Sequence, residues 1–202
     1  MGVVKQIAKG FRMKLFFLYV AILFQFSINA QKGIVYNPEW ENNFPLRVDR
    51  GENIDTIYLR DIIEGKDKKS FLIDQRGDTI HYKTFKNKVV LLDFWFLNCK
   101  PCIAEFAGFD IIRGRYAPED LVVLTVSFDG YDEVYEKLLS KRDFQFSIVT
   151  DTRIIGKPIY PYKLIIDRKA NIRYYFTGGS QSDDASVALF RKLKPIIDKW
   201  VY

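Results

Sequence analysis

Residues 89–102 carry the most informative pattern in this chain: Val89-Val90-Leu91-Leu92-Asp93-Phe94-Trp95-Phe96-Leu97-Asn98-Cys99-Lys100-Pro101-Cys102. The first seven residues are too continuously apolar for a half-exposed strand, and they predict a central strand that is buried on both faces. The two cysteines of the chain follow, separated by two residues, where the pattern changes from strand-like to helix-like. This placement indicates thiol–disulfide chemistry.

The cysteine pair has the spacing of a redox-active dithiol. Two cysteines three positions apart at a helix start can form a disulfide without distorting the backbone. The free amides of the first helical turn stabilise a thiolate on Cys99, and Pro101 fits that turn because its missing N–H costs little there. We therefore expect Cys99 to be the exposed nucleophile and Cys102 to be the buried resolving thiol.

Two other interpretations of the cysteine pair are a purely structural disulfide and half of a zinc site. A disulfide that closes so short a loop constrains the unfolded chain by only about 2 kcal/mol. Zinc needs four ligands, and the chain has one histidine, His81, and no further cysteine. The sequence therefore predicts no metal and no cofactor.

Asp93 is the second candidate for chemistry at this site. An acid among Val, Leu, Phe and Trp is costly to bury unless it has a partner or a role. Strand alternation places Asp93 and Trp95 on one face of the predicted strand. Desolvation would raise the pKa of the Asp93 carboxyl, which could then take the proton from Cys102. The alternative is a carboxylate that caps a nearby backbone amide.

The first thirty residues predict export. Four basic residues precede an uncharged run over 15–29 that ends at Ala30, which is the arrangement of a secretory signal peptide. The run is shorter than the roughly 18–20 residues that span a bilayer, which favours a cleaved signal over the alternative, an uncleaved N-terminal anchor. A start at Met13 would leave a complete signal, and Ile28 stands where a smaller residue would suit a signal peptidase better. We expect a periplasmic or cell-envelope location, where disulfides persist.

Most of the positive net charge of the chain lies in the predicted signal peptide. Of the 31 Lys and Arg residues, four lie in the predicted signal, which leaves 27 against 25 acidic residues. A nearly balanced chain gives no argument for binding to nucleic acid.

The remainder of the chain predicts an α/β domain over residues 69–202, preceded by a polar extension over 31–68. A hairpin is predicted at 71–82, then alternating strands and helices from 89 to 149, and a second hairpin at 162–176. A final helix follows, which Pro195 should kink or split. This order predicts a mixed central sheet with helices on both faces, parallel in the middle and antiparallel at one side, with an added N-terminal β-hairpin.

Residues 91–102 resemble the active-site segment of the thioredoxin superfamily. Asp93 falls where those proteins keep a buried acid, and Trp95 where they keep an aromatic residue beside the dithiol. Residues 159–167 resemble the loop and strand that carry the superfamily's cis-proline, which implies Pro161, with Pro158 as the rival. A cis bond there turns the Tyr160 backbone toward the disulfide to pair with an extended substrate. The resemblance thus implies a substrate-binding set of Trp95, Pro101, Tyr160 and Pro161.

The hairpin, its lead-in at 85–92 and the signal peptide resemble the exported TlpA-like and ResA-like branch of that superfamily. The resemblance implies a thioredoxin-like fold and a thiol–disulfide oxidoreductase that reduces disulfides of other exported proteins. Its partners would be those disulfide-containing proteins and an upstream electron donor, with residues 15–29 as a membrane tether if the signal is retained.

The chain departs from the family pattern at three positions. Asn98 stands where an aromatic residue usually precedes the first cysteine. Thr125 stands where thioredoxin offers a lysine partner to its buried acid, which weakens the case for proton relay through Asp93. Lys100 places a cation beside Cys99, which should favour the thiolate and make the couple more oxidising.

Two other functions fit the same fold. A peroxidase of the peroxiredoxin type resembles a Pro-x-x-x-Thr/Ser-x-x-Cys arrangement, and Leu92 and Phe96 occupy those positions here without a hydroxyl to activate peroxide. A non-catalytic binding module would have no use for an intact cysteine pair beside Asp93.

Overall fold

The computed structural model describes residues 45–49, 54–150, 152–154 and 160–202. The strands in these ranges are β1 Pro45–Asp49, β2 Ile54–Tyr58, β3 Leu72–Ile73, β4 Thr79–Ile80, β5 Val89–Trp95, β6 Leu121–Ser127, β7 Ser147–Val149, β8 Thr152–Ile154, β9 Tyr162–Ile166 and β10 Ile172–Thr177. The α-helices are α1 Leu59–Glu64, α2 Tyr82–Phe85, α3 Lys100–Ala104, α4 Phe106–Arg115, α5 Tyr131–Lys137 and α6 Ala185–Val201.

The central sheet has five strands in the order β10-β9-β5-β6-β7. The strands β5, β6 and β7 pair in parallel, as alternating strands and helices require. The strands β9 and β10 form an antiparallel pair that joins the sheet beside β5. The predicted mixed sheet is therefore confirmed, with its parallel pairs and its antiparallel pairs on opposite sides of β5.

The strand β5 is the centre of the core, and all seven of its residues are buried. Because side chains alternate along a strand, Leu91 and Trp95 face one core and Leu92 and Phe94 face the other. The first core is closed by apolar residues of α4 and α6, and the second by residues of α1. Helices thus cover both faces of the sheet, as predicted.

The predicted hairpin at 71–82 contains a short antiparallel pair, β3 with β4. Gly77 lies in the turn with a φ of 82°, a conformation that other residues rarely adopt. The Gln75 side chain accepts a hydrogen bond from the Ile148 amide at 2.6 Å and donates to the Phe146 carbonyl at 2.9 Å. The hairpin therefore caps the outer edge of β7, an edge that would otherwise expose unpaired backbone groups.

Regular structure begins before residue 69, where the sequence predicts the domain to start. The strand β1 pairs antiparallel with β2 and with β8. Leu59 and Ile62 of α1 are fully buried in the same core as Leu92 and Phe94. The second core thus includes residues of the predicted 31–68 extension. The predicted signal peptide at 1–30 lies outside the described residues.

The helix α6 continues through Pro195 and is not split, which corrects part of that prediction. Pro195 is exposed, so the carbonyl that loses its hydrogen bond can be hydrated. Across the described ranges, none of the helices is long and apolar enough to cross a membrane.

Candidate active site

Cys99 and Cys102 form a disulfide at the start of α3, with their Cα atoms 5.3 Å apart. Cys99 is the N-cap residue of the helix, Pro101 lies in its first turn, and Cys102 lies on its buried face. Cys99 is 5% exposed and Cys102 is 1% exposed. The expectation of an exposed Cys99 is therefore wrong for the disulfide form, because its sulfur packs against its partner in the first core.

The loop between β5 and α3 is held by the neighbouring strand. The amide of Leu97 donates a hydrogen bond to Oδ2 of Asp129 at 2.6 Å, and the Ser127 hydroxyl donates to the same oxygen at 3.1 Å. The Phe128 amide donates to the carbonyl of Trp95 at 3.3 Å. These contacts fix the loop backbone that leads to Cys99.

Asp93 is fully buried in the middle of β5. Neither of its carboxyl oxygens has a hydrogen-bond partner among the residues that the structure describes. Asp93 therefore does not cap a described backbone amide, which was the alternative to a chemical role. Burial raises the pKa of Asp93 to about 7, with Glu105 adding to the rise and Lys163 opposing it.

Lys163 and Glu105 complete a buried charge cluster that the sequence analysis missed. Lys163 lies opposite Asp93 in the register of β9 with β5, and its Nζ is 3.5 Å from Oδ1 of Asp93. The same Nζ is 2.6 Å from Oε2 of Glu105, at the junction of α3 and α4. The signal for Lys163 was available, since it interrupts the apolar strand Tyr162–Ile166 as Asp93 interrupts β5. Nothing in the local sequence marked Glu105.

Thr125 does not act as a partner of Asp93, which is the role of the lysine that the family pattern places at this position. Thr125 lies opposite Asp93 on β6, and its Oγ1 accepts a hydrogen bond from Nε1 of Trp95 at 3.2 Å. The lysine partner of Asp93 comes instead from β9, on the other side of β5. Asp93 therefore has a cation beside it although residue 125 is not a lysine.

Trp95 is fully buried, which corrects its prediction as a substrate-binding residue. Its ring packs edge-on against Phe106 with the centroids 4.8 Å apart. A side chain in this position cannot touch a substrate in the disulfide form. It packs within the same core as both cysteines.

The Tyr160–Pro161 peptide bond is cis, as the resemblance implies, and the rival Pro158 lies outside the described residues. Tyr160 packs edge-on against Phe96 and Phe128, at centroid distances of 5.4 Å and 5.2 Å. It also packs against the core that contains both cysteines. Phe96, Phe128 and Tyr160 thus form a half-buried aromatic wall at the edge of this core, and the exposed Asn98 lies outside these contacts.

A cavity of about 470 Å³ lies between the end of β10 and α6, and it reaches Glu105 and Lys163. Gly179 lines it at a point where a Cβ would be crowded. A Cβ at this position would lie 2.9 Å from Cγ of Pro161 and 3.0 Å from both carboxylate oxygens of Glu105. Glu105 and the cis-proline therefore both lie against Gly179.

The AhpC/TSA family model matches residues 63–175, more than half of the chain. The chain belongs to the AhpC/TSA family. This family member is similar to the thiol-disulfide oxidoreductase ResA of Bacillus thuringiensis subsp. konkukian, with 24% identity over 137 residues, 65% of this chain and 79% of that protein. It is also similar to the thioredoxin-like protein YneN of Bacillus subtilis, with 28% identity over 125 residues, 58% of this chain and 73% of that protein.

Solved structures share the fold of this AhpC/TSA family member. A candidate thioredoxin from Neisseria meningitidis superposes with a TM-score of 0.51 at 25% identity, covering 64% of this chain and 85% of that one. The thioredoxin-like fold is thereby confirmed. The relatives and the Cys99–Cys102 disulfide also confirm the predicted enzyme class, a thiol–disulfide oxidoreductase of the thioredoxin type.

Proposed function

We propose that this protein is an exported reductase that cleaves disulfides of other exported proteins by dithiol exchange through Cys99 and Cys102. The observation that carries the proposal is the Cys99–Cys102 disulfide at the start of α3, a helix that ends at Glu105 of the buried charge cluster. A purely structural disulfide would have no use for an acid such as Asp93, whose pKa lies close to neutral.

The exchange proceeds in two steps. In the reduced protein, the Cys99 thiolate attacks one sulfur of the client's disulfide, and the other client sulfur leaves as a thiolate. Cys102 then loses its proton, and its thiolate attacks the Cys99 sulfur of the mixed disulfide. The client leaves as a dithiol, and the two electrons that reduced it come from the Cys99–Cys102 pair, which becomes the disulfide. An upstream thiol donor must then reduce that disulfide again.

The half-buried aromatic wall beside the dithiol supports a client that binds in an extended conformation. Tyr160 precedes the cis-proline, and its ring is held by Phe96 and Phe128. Burial raises the pKa of Tyr160 to about 12, so the phenol stays neutral at physiological pH. A neutral, partly apolar wall favours unfolded or loop segments around the client's cysteines. Clients of this kind are disulfide-containing proteins whose cysteines are accessible before folding is complete.

Export rests on the sequence of residues 1–30, whose basic start, apolar run and Ala30 fit a signal peptide. If that segment is retained, residues 15–29 would tether the domain to the membrane. Cell fractionation tests both points, with N-terminal sequencing of the mature protein. Recovery of the unprocessed chain from the cytosol would contradict export.

Trapping of clients tests the exchange mechanism. In a Cys102→Ser variant the second step is blocked, so Cys99 should hold its client as a mixed disulfide that dithiothreitol releases. The matched control is the Cys99→Ser/Cys102→Ser double variant, which should trap nothing. If the single variant accumulates no dithiothreitol-sensitive adducts with exported proteins, the proposed function is wrong.

A further inference from the structure

Asp93 lies on the face of β5 that turns Trp95 toward the core of Cys102, and the Glu105 amide donates a hydrogen bond to the Cys102 carbonyl at 3.2 Å. The buried charges of this region are unequal in number. Asp93, Glu105 and Lys163 have side chains that are 1%, 7% and 2% exposed, and together they carry two carboxyls and one ammonium. When all three groups are ionised, the cluster holds one uncompensated negative charge. Such a charge is costly in a buried site, and one bound proton removes it.

The position of Lys163 decides which carboxyl carries that proton. Its Nζ is 2.6 Å from Glu105 and 3.5 Å from Asp93. Because attraction between charges falls with distance, Lys163 stabilises the anion of Glu105 more than the anion of Asp93. Asp93 also has no hydrogen bond to either oxygen from the described residues. The proton therefore belongs on Asp93.

We propose that Lys163 is a positioning residue that gives the two buried carboxyls different roles, holding Glu105 as its charged partner and leaving Asp93 to exchange the proton with Cys102. The inference rests on the proposed function, because this proton moves only when Cys102 resolves a mixed disulfide. In that step Asp93 acts in its ionised form, which its pKa near 7 makes about half of the population at neutral pH. The Cys102 S–H bond breaks and its proton goes to the Asp93 carboxylate. The Cys102 thiolate then forms the bond to Cys99 and displaces the client as a thiolate.

Each element packed around Asp93 contributes to its environment. Lys163 faces it from β9, and Glu105 faces it from the junction of α3 and α4. The strand β6 presents the neutral Thr125, which is bonded to Trp95. The helix α4 presents the ring of Phe109, whose centroid is 6.0 Å from the Lys163 Nζ. The pKa of Asp93 accordingly depends on one cation that lowers it and one carboxylate that raises it, in addition to burial.

Two substitutions should therefore shift the titration of Asp93 in opposite directions. In Lys163→Met the cation is lost, and the pKa of Asp93 should rise by about one unit or more above its value near 7. In Glu105→Gln the raising charge is lost and Lys163 faces Asp93 alone, so the pKa of Asp93 should fall. A merely structural role for Lys163 would leave the pH dependence of the resolving step unchanged.

The experiment measures the titration of the Asp93 carboxyl directly, and it measures the rate of the resolving step separately. Carbon-13 NMR of the disulfide form, with labelled aspartate and an Asp93→Asn variant for assignment, reports the titration midpoint. The rate of glutathione release from a preformed mixed disulfide at Cys99 reports the resolving step as a function of pH. In Lys163→Met the release rate at pH 7 should fall about fivefold, because the ionised fraction of Asp93 drops, and the pH profile should move upward with the midpoint.

Two variants keep the test interpretable. Lys192→Met removes an exposed lysine that lines the cavity reaching Glu105 and Lys163, with its Nζ over the Phe176 ring. It should change neither the NMR titration midpoint of Asp93 nor the pH midpoint of glutathione release. Lys163→Arg keeps the cation, so its Asp93 titration midpoint should stay close to that of the wild type. It provides a second variant at this position if Lys163→Met folds poorly. An unchanged midpoint in Lys163→Met, or an upward shift in Glu105→Gln, would overturn the proposal. The NMR titration needs no client, so its outcome is independent of whether Cys102→Ser traps clients.

Discussion

Trp95 and Thr125 are joined by a hydrogen bond inside the core, from the indole Nε1 to Oγ1 at 3.2 Å, and both residues are fully buried. Their strands are neighbours in the parallel pair β5–β6. The bond orients the tryptophan ring within the core that contains the disulfide, where it packs against Phe106. Thr125 therefore supports the dithiol through Trp95, while the charge partner of Asp93 comes from Lys163.

Loss of this hydrogen bond should destabilise the fold. Thr125→Val keeps the shape of the side chain but leaves the indole N–H unpaired, which should cost about 1–3 kcal/mol of unfolding free energy. Urea unfolding of the disulfide form measures the change. In a Trp95→Phe background the same substitution should cost much less, because no donor remains. Equal costs in the two backgrounds would show that the hydrogen bond contributes nothing.

The stability of the disulfide form should fall as pH rises through the range set by Asp93. The pKa of Asp93 is about 7 in the folded protein against 3.8 for an ordinary aspartate. Between these values the folded state keeps a proton that the unfolded state has released. The stabilisation is therefore complete below about pH 4 and lost above about pH 7, at on the order of 1.4 kcal/mol for each pH unit.

Removal of the Asp93 charge should abolish that slope. Asp93→Asn resembles the protonated acid, so its unfolding free energy should exceed that of the wild type at pH 8, and the difference should shrink toward pH 4. Glu119→Gln removes an exposed carboxyl and serves as the control, with the wild-type pH dependence expected. A wild-type slope in Asp93→Asn would contradict the raised pKa.

Two glycines of α4 should respond to alanine in opposite ways. A Cβ on Gly108 would lie 2.6 Å from the backbone oxygen of Ser186, where α4 crosses α6, so Gly108→Ala should destabilise the fold by about 2 kcal/mol or more. A Cβ on Gly114 would have no atom closer than 3.9 Å, so Gly114→Ala should stabilise it by up to about 1 kcal/mol through helix propensity. Urea midpoints of both variants measure the difference. Similar midpoints would refute the close helix contact.

Lys100 should make the dithiol more oxidising. It is exposed at the first position of α3, directly after Cys99, and its charge favours the Cys99 thiolate of the reduced form. Lys100→Gln should therefore lower the reduction potential by about 10–20 mV, given that 30 mV corresponds to about 1.4 kcal/mol for a two-electron couple. Equilibration with glutathione buffers measures the potential. A wild-type potential at or below about −270 mV, the value of thioredoxin, would contradict an oxidising effect of Lys100.

The predicted strands and helices around the dithiol were confirmed because their patterns are local. The apolar run at 89–95 and the helical spacing of Phe106, Phe109 and Ile112 each reflect burial of one segment. The burial of a single side chain, by contrast, depends on segments that are distant in the sequence. Trp95 was predicted to bind substrate, yet it is completely buried and packs against Phe106, the first residue of α4. The stretch Leu59–Glu64 looked like part of a polar extension, yet its apolar face completes the second core.

The spacing of Cys99 and Cys102 was sufficient to indicate a redox-active dithiol, and the alternation of strands and helices around them indicated a mixed sheet. The resemblance of residues 91–102 and 159–167 to the thioredoxin superfamily implied the thioredoxin-like fold. The charge cluster required the tertiary structure. Antiparallel pairing of β9 with β5 brings Lys163 opposite Asp93, although they are far apart in the chain, and the junction of α3 with α4 directs Glu105 to the same point. Ion-pair distances depend on strand register and helix placement, and neither is encoded within one segment of sequence.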